Sequence, residues 1–448
     1  MDYFIYLVLG FLILFVEINR ERYFVIDHLS IFNFFFFLVY SFTPLALKYY
    51  GTDILAIDLS LGKYYLWRNE YTSLFILASY IAFLAGYYMM AQRNFAKRIN
   101  IEFKFTRDTL MSIMPFVYLL LVGVLIIYLQ AQGGLMATIA KAEQFRGGVI
   151  FAKYGFLIRL FPLNQILLFY FFYLVLLEKD KQYQQTNMIY LVISFSLFFL
   201  MAAMYNSRTY LLSNFLGLYI MTAMYYKNYF LNYLTVAGGF GVIVIKYADP
   251  LFYAIPEFLD YGFEAFLAEL NNRVSLKNLE DTNIVANFSH PIISLETSLY
   301  LSGGEVPFRY FVDFIHAFIS LLPSILLGFE DPQYIMELNT ELVFGEKISI
   351  ALPGILALFS YSMHFVGMII GMFIYGLIGG FLSEMFKKIF IKYNSSIIFI
   401  YLMSFTYGYF VFRGSPRNAL LAILIQMLVI VTLLFFSKIS LERKGNKS

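Results

Sequence analysis

Five arginines at the ends of apolar runs are the residues best placed for chemistry. Arg146 lies in AEQFRGG, Arg159 in FLIRLFP, Arg208 in MYNSRTYLL, and Arg413 and Arg417 in FRGSPRN. A guanidinium presents planar, bidentate donors that match phosphate oxygens, and it keeps its charge at any relevant pH. Gly147-Gly148, Ser207 and Gly414-Ser415 stand beside three of these arginines. Residues that small let a backbone come close to a ligand. The pattern points to a membrane-anchored diphosphate. Snorkelling of a long cationic side chain toward water is the competing explanation for any single arginine. It is weaker on the outer side of a membrane, where basic residues are disfavoured.

Proton transfer needs a second set of groups. His364, in SYSMHFVGM, opens a run holding Gly367, Gly371, Gly376, Gly379 and Gly380. Imidazole titrates near neutrality and suits a general base, although a histidine at a span entrance also serves as a plain hydrogen-bonder. The glycines at such spacing mean close helix packing. A second candidate set is Arg309, Asp313, His316 and Ser320 in RYFVDFIHAFISLLPSILL. Their spacing of i, i+4, i+7 and i+11 predicts one polar stripe on an otherwise apolar helix over 309–327. We expect that helix to lie in the membrane interface, apolar face in lipid and stripe upward, with Pro323 ending it. Carboxylates on the same side supply further possible bases. Tyr64, Tyr65 and Trp67 could stack on sugars, but an interfacial aromatic belt explains them as well.

These residues need a frame, and composition says which. Of 448 residues, 60% are hydrophobic and only 14% charged, against about 25% charged in soluble domains. Mean hydropathy is +0.72. Lipid must therefore be the main solvent. Apolar runs near span length occupy 3–16, 29–46, 71–91, 109–130, 156–177, 188–205, 209–226, 231–247, 360–385, 395–412 and 416–436, eleven in all. The expectation is an all-α polytopic membrane protein forming one integral membrane domain over 1–448.

Lys and Arg concentrate in 92–108, in 386–393 and in the tail from Lys438 to Lys447. Alternating spans put all three on one side, which the positive-inside rule makes the cytoplasm. The C-terminus is then inside and the N-terminus outside. Residues 17–28 also fall inside, with Arg20 and Arg22 offset by Glu17, Glu21 and Asp27. Residues 248–359 form one large outer loop. From Asp249 to Ile350 it carries fifteen acidic residues against Arg273, Lys277, Arg309 and Lys347.

Other classes lose support. GxxxxGK[ST], HExxH and GxSxG are missing, so ATPase, zinc-protease and lipase readings have no motif. With no Cys and four His, disulfides are excluded and a structural zinc site is not expected. No cofactor is implied. No long basic run suggests nucleic acid.

Four features together resemble the Wzy-type polymerases of bacterial O-antigen and capsule. They are the turn NSRTYLL, the late outer loop with its proline-broken FIHAFISLLPSILLGF, the stretch LPGILALFSYSMHFVGMIIGMFIYGLIGG, and FRGSPRN near the C-terminus. The resemblance implies a helical fold of the C-type glycosyltransferase kind in the cytoplasmic membrane. It implies undecaprenyl-diphosphate-linked oligosaccharides as substrates, with a chain-length-regulating co-polymerase as a further partner left open. A hydroxyl would attack an anomeric carbon, arginines would steady the leaving diphosphate without a metal, His364, Glu305 or Asp313 would take the proton, and Arg309 and His316 would face the sugar. The related O-antigen ligases carry a His-Asn pair where this chain has His364-Phe365, which argues against a ligase. A flippase for the same lipid-linked sugar is the rival from the transport class; it should show membrane-deep polar groups and two related halves.

Overall fold

The computed structural model describes residues 2–50, 69–92, 99–103, 107–142, 145, 152–177, 183–205, 208–226, 250–279, 284–320, 333–345, 351–392, 397–435 and 437–441, with short gaps at 22–23, 25 and within 252–260. The expected span 231–247 and the residues Tyr64, Tyr65, Trp67, Arg146 and Pro323 lie outside them.

Helices dominate. In chain order they are α1 (Asp2–Asn19), α2 (His28–Phe37), α3 (Thr43–Tyr50), α4 (Thr72–Ala91), α5 (Arg107–Gln132), α6 (Leu135–Ala140), α7 (Pro162–Phe172), α8 (Gln184–Tyr205), α9 (Arg208–Tyr225), α10 (Phe263–Leu279), α11 (Ile284–Leu301), α12 (Val312–Ile319), α13 (Ile335–Phe344), α14 (Gly354–Lys392), α15 (Ile397–Arg413) and α16 (Pro416–Phe435). A π-helical turn, Leu38–Phe42, joins α2 to α3. A 3₁₀ turn, Gly155–Leu160, precedes α7. Among the described residues, six helical stretches are long and apolar enough to cross a membrane: His28–Tyr50, Thr72–Ala91, Met111–Gln132, Gly155–Leu176, Gln184–Tyr205 and Gly354–Ile389. The chain is a multi-pass helical membrane protein. Large apolar side chains such as Phe11, Phe116 and Leu119 point outward, as a lipid-facing surface requires.

Glycine sets the central packing. α4 and α14 cross so closely that a Cβ at Gly86 would collide with the Phe373 carbonyl, and one at Gly376 with the Phe83 carbonyl. Lipid offers no hydrophobic drive between helices, so such close approach replaces it with dispersion contact. Around this seam Tyr375 and Tyr407 stack at 4.1 Å, and each hydroxyl donates to the other's backbone carbonyl.

The two ends of the bundle differ. A short antiparallel ribbon pairs β1 (Ile99–Phe103) with β2 (Ser437–Leu441), register Ile101 to Ile439. It brings together two of the segments that the sequence reading put on one side. Residues 17–28 join the same end, where Arg20, Asp27 and Lys387 line one cavity. Arg20 is held there by Glu17 and Asp27 at 2.9 and 2.5 Å. Burial opposes its charge, but the two carboxylates outweigh that and raise its pKa above the ordinary guanidinium value. Asp27 also caps α2 by accepting from the Ser30 amide, as expected of an N-cap aspartate. We call this the basic end.

Candidate functional site

The far end of the bundle is organised by a break inside α14. Met363 and His364 leave helical geometry, His364 at φ 52° and ψ −142°. A side-chain-bearing residue rarely adopts this backbone, at a cost of order 1–3 kcal/mol. The break is a sharp turn. In a continuous helix, residues eight apart lie about 12 Å apart along the axis. Here Gly367 abuts the Phe359 carbonyl and Gly371 abuts the Phe359 ring. Residues 354–362 therefore fold back against the first turns of the arm that follows, at Gly367 and Gly371. The expectation of one Gly-rich span over 360–385 becomes two helical arms, with His364 at their junction.

Several elements hold that junction. The amides of Arg309 and Tyr310 donate to the carbonyls of Tyr361 and Ser362 at 3.0 and 3.1 Å. The His364 Nε2 lies 2.9 Å from the Leu299 carbonyl. A carbonyl only accepts, so Nε2 carries the hydrogen and Nδ1 keeps its lone pair. Phe365 stacks on Phe75 at 4.4 Å, which ties the junction to the start of α4. Beneath it, Asn339 donates to the Ser294 hydroxyl and the Ala351 carbonyl, each at 2.9 Å, and accepts from the Tyr361 hydroxyl at 3.1 Å.

The stripe is built differently from its sequence reading. Tyr310 and Phe311 both have positive φ, so the helix begins only at Val312 and Arg309 lies before it. Helix propensity gives way to two hydrogen bonds that draw 309–310 onto α14. The Arg309–Asp313 pair nevertheless forms, bidentate at 2.6 and 2.8 Å. Arg309 also donates to the Gln333 carbonyl at 2.8 Å, and Asp313 accepts from the Ile335 amide at 3.1 Å. Asp313 is 3% exposed and Ser320 is buried, while Ile315 and Phe318 are exposed. The polar stripe thus faces the protein interior, and α12 packs against α16. A buried ion pair satisfied on both sides explains the orientation better than solvation does. His316 is half-buried with an unpartnered Nδ1.

The arginines separate into groups. Arg417 lies over the Tyr334 ring at 3.9 Å, and its buried Nε has no hydrogen-bond partner. Since Tyr334 precedes the residue bonded to Asp313, Arg417 joins the same neighbourhood. Arg413 lies over Tyr409 at 5.1 Å. Arg159 sits half-buried in the 3₁₀ turn, which packs against α16. Among the described residues none of these three pairs with a carboxylate. Arg208 opens α9, but its side chain lies outside the described ones, as Arg146 does entirely. Glu305 stands exposed on the tight turn 302–306, outside the buried network.

Sequence reasoning missed Asn339, Tyr361 and His290. Asn339 and Tyr361 are ordinary residues in apolar surroundings, and only the fold-back makes them a hub. His290 is edge-on to Phe344 at 5.9 Å, and burial pushes its imidazole down to about 4. Among the described residues no group of three or more metal-ligating side chains is placed to hold an ion. No family model, curated protein or solved structure matches this chain.

Proposed function

We propose that the chain is a polysaccharide polymerase. It joins undecaprenyl-diphosphate-linked oligosaccharide repeat units into O-antigen or capsular polysaccharide, at the outer face of the bacterial cytoplasmic membrane. In this reading eleven spans cross the bilayer, the basic end and the C-terminus are cytoplasmic, and the broken helix faces outward. The observation that carries it is His364 itself: a strained backbone, a fixed Nε2–H and an open Nδ1, linked through Arg309, Asp313 and Tyr334 to Arg417, which pairs with no carboxylate among the described residues.

The chemistry follows from those groups. An acceptor sugar hydroxyl attacks the anomeric carbon of the growing chain. Its proton passes to His364 Nδ1 while the new C–O bond forms. The bond from the anomeric carbon to the diphosphate breaks, and arginine donors take up the charge that develops on the leaving group. Arg417 and Arg413 are suited to this, with Arg208, Arg159 and Arg146 as further candidates.

Deleting the gene and displaying the surface polysaccharide on a gel tests the reading. Loss of a polymerase leaves the acceptor carrying a single repeat unit. Loss of a flippase or a ligase leaves none.

A further inference from the structure

A second site lies at the basic end, away from the proposed reaction. A cavity of about 490 Å³ opens between the C-terminal ends of α1 and α4 and the last turns of α14. That falls within the range of small-molecule sites, roughly 300–1,000 Å³. Arg20, Glu21, Asp27, His28, Glu384 and Lys387 line the cavity, beside Asn19 and Ser383.

Some of these groups already have partners, Lys387 among them. Arg20 is committed to Glu17, Asp27 and the Ser30 hydroxyl. Asp27 is committed in return to Arg20 and the Ser30 amide. Glu21 and Glu384 have no hydrogen-bond or ion-pair partner among the described residues. His28 is 2% exposed, with Nδ1 3.0 Å from the Ser404 hydroxyl and Nε2 unpartnered. When Nδ1 donates to Ser404, Nε2 is an acceptor. In that tautomer two carboxylates and one buried imidazole nitrogen are left without a donor among the described residues. A buried polar atom left so costs about 1–3 kcal/mol unless something fills the place.

The walls fit a cation as well. Phe24, Tyr87, Tyr88 and Phe386 line the cavity, and aromatic rings attract ammonium groups. Phe15 also lines the cavity while remaining 64% exposed. The opening therefore meets the lipid-facing surface of α1.

We propose that this cavity binds the headgroup of a phospholipid bearing a primary ammonium, of the phosphatidylethanolamine type. The ammonium donates to Glu384, Glu21 and His28, and an acyl chain leaves along α1 past Phe15 and Val16. Because the site lies at the opposite end from His364, the proposal stands or falls apart from the polymerase reading.

Native mass spectrometry of the full-length protein in detergent, titrated separately with phosphatidylethanolamine, phosphatidylcholine and phosphatidylglycerol, tests it. Phosphatidylethanolamine is expected to bind at least about tenfold more tightly than the other two, about 1.4 kcal/mol. Choline carries the charge but no N–H, so equal binding of phosphatidylcholine would overturn the donor argument. Equal binding of phosphatidylglycerol would overturn the cation argument. Glu21→Gln with Glu384→Gln should remove the preference while the lipid-free melting temperature holds; a preference that survives contradicts the site. Should that double variant misfold, His28→Phe provides the same test. Soluble phosphoethanolamine should compete poorly, and competition equal to the lipid's would contradict a membrane ligand.

Discussion

His364 donates its Nε2 hydrogen to the Leu299 carbonyl across 2.9 Å, from a backbone conformation that side-chain-bearing residues avoid. The contact joins α11 to the junction of the two arms of α14, and it decides which ring nitrogen is open. Glutamine can replace the donor but not the base. His364→Gln should therefore keep expression and melting temperature near wild type while slowing polymerisation about 10²-fold or more. Normal polysaccharide length in His364→Gln would reduce the residue to a structural hydrogen-bonder.

Asp313 tests the inward stripe. It is buried, bidentate to Arg309 and bonded to the Ile335 amide. Removing one partner of a buried pair costs about 3–5 kcal/mol, whereas an exposed i, i+4 pair contributes only about 0.3–0.5 kcal/mol. Asp313→Asn should lower the melting temperature by several degrees and shorten the polysaccharide. An unchanged melting temperature would mean that the pair sits in water.

The arginines are tested by conservative replacement. Lysine keeps the charge and loses the planar fork. Arg417→Lys and Arg208→Lys should both impair polymerisation, and the alanine variants should abolish it, at normal protein levels. A wild-type ladder from Arg208→Ala would leave that arginine as a snorkelling side chain.

Much of this frame is legible in the sequence, because lipid forces it. Runs of apolar residues near 20 long, and basic residues gathered in 92–108, 386–393 and the tail, are direct consequences of the bilayer. The β1–β2 pairing sets parts of two of those basic segments, 99–103 and 437–441, side by side. What escaped is long-range. The glycines of α14 signal close packing, but nothing local says that Gly376 meets Phe83 while Gly367 meets Phe359. The stripe's spacing is correct for a helix, yet two positive-φ residues at 310–311 shift its start, and Asp313 turns inward toward a chain amide 22 residues away. The site is legible as residue types and illegible as partners.

Two glycines make a sharp stability test. Gly414 has φ 57°, and a Cβ there would strike the Gly354 backbone, itself at φ 68°. The turn FRGSPRN and the start of α14 thus meet backbone to backbone. Gly414→Ala should prevent stable folding or displace the turn, read as loss of monodisperse protein in detergent. Gly123, with open space around it, should tolerate alanine.

His290 sets a pH dependence. Its folded pKa, about 4, lies below the unfolded value of about 6.5. Between these values the unfolded chain binds more protons, so stability falls as pH drops from about 6.5 toward 4 and no further below that. Melting temperature measured across that window should decline less in His290→Gln. An identical decline in the variant would place the titration elsewhere.

Orientation is settled by reporter fusions after Tyr310 and after Ser448, which should report opposite sides, the second cytoplasmic. A cytoplasmic signal at Tyr310 would turn the proposed site away from its substrate.

The most direct test of the polymerase reading is reconstitution. Purified protein in liposomes is given lipid-linked repeat units extracted from the deletion strain, and the products are weighed by mass spectrometry. The account predicts masses rising by whole repeat units, each step releasing one undecaprenyl diphosphate, with growth slowed about 10²-fold or more in His364→Gln. Repeat units that stay single while moving between leaflets would contradict it and make the protein a transporter.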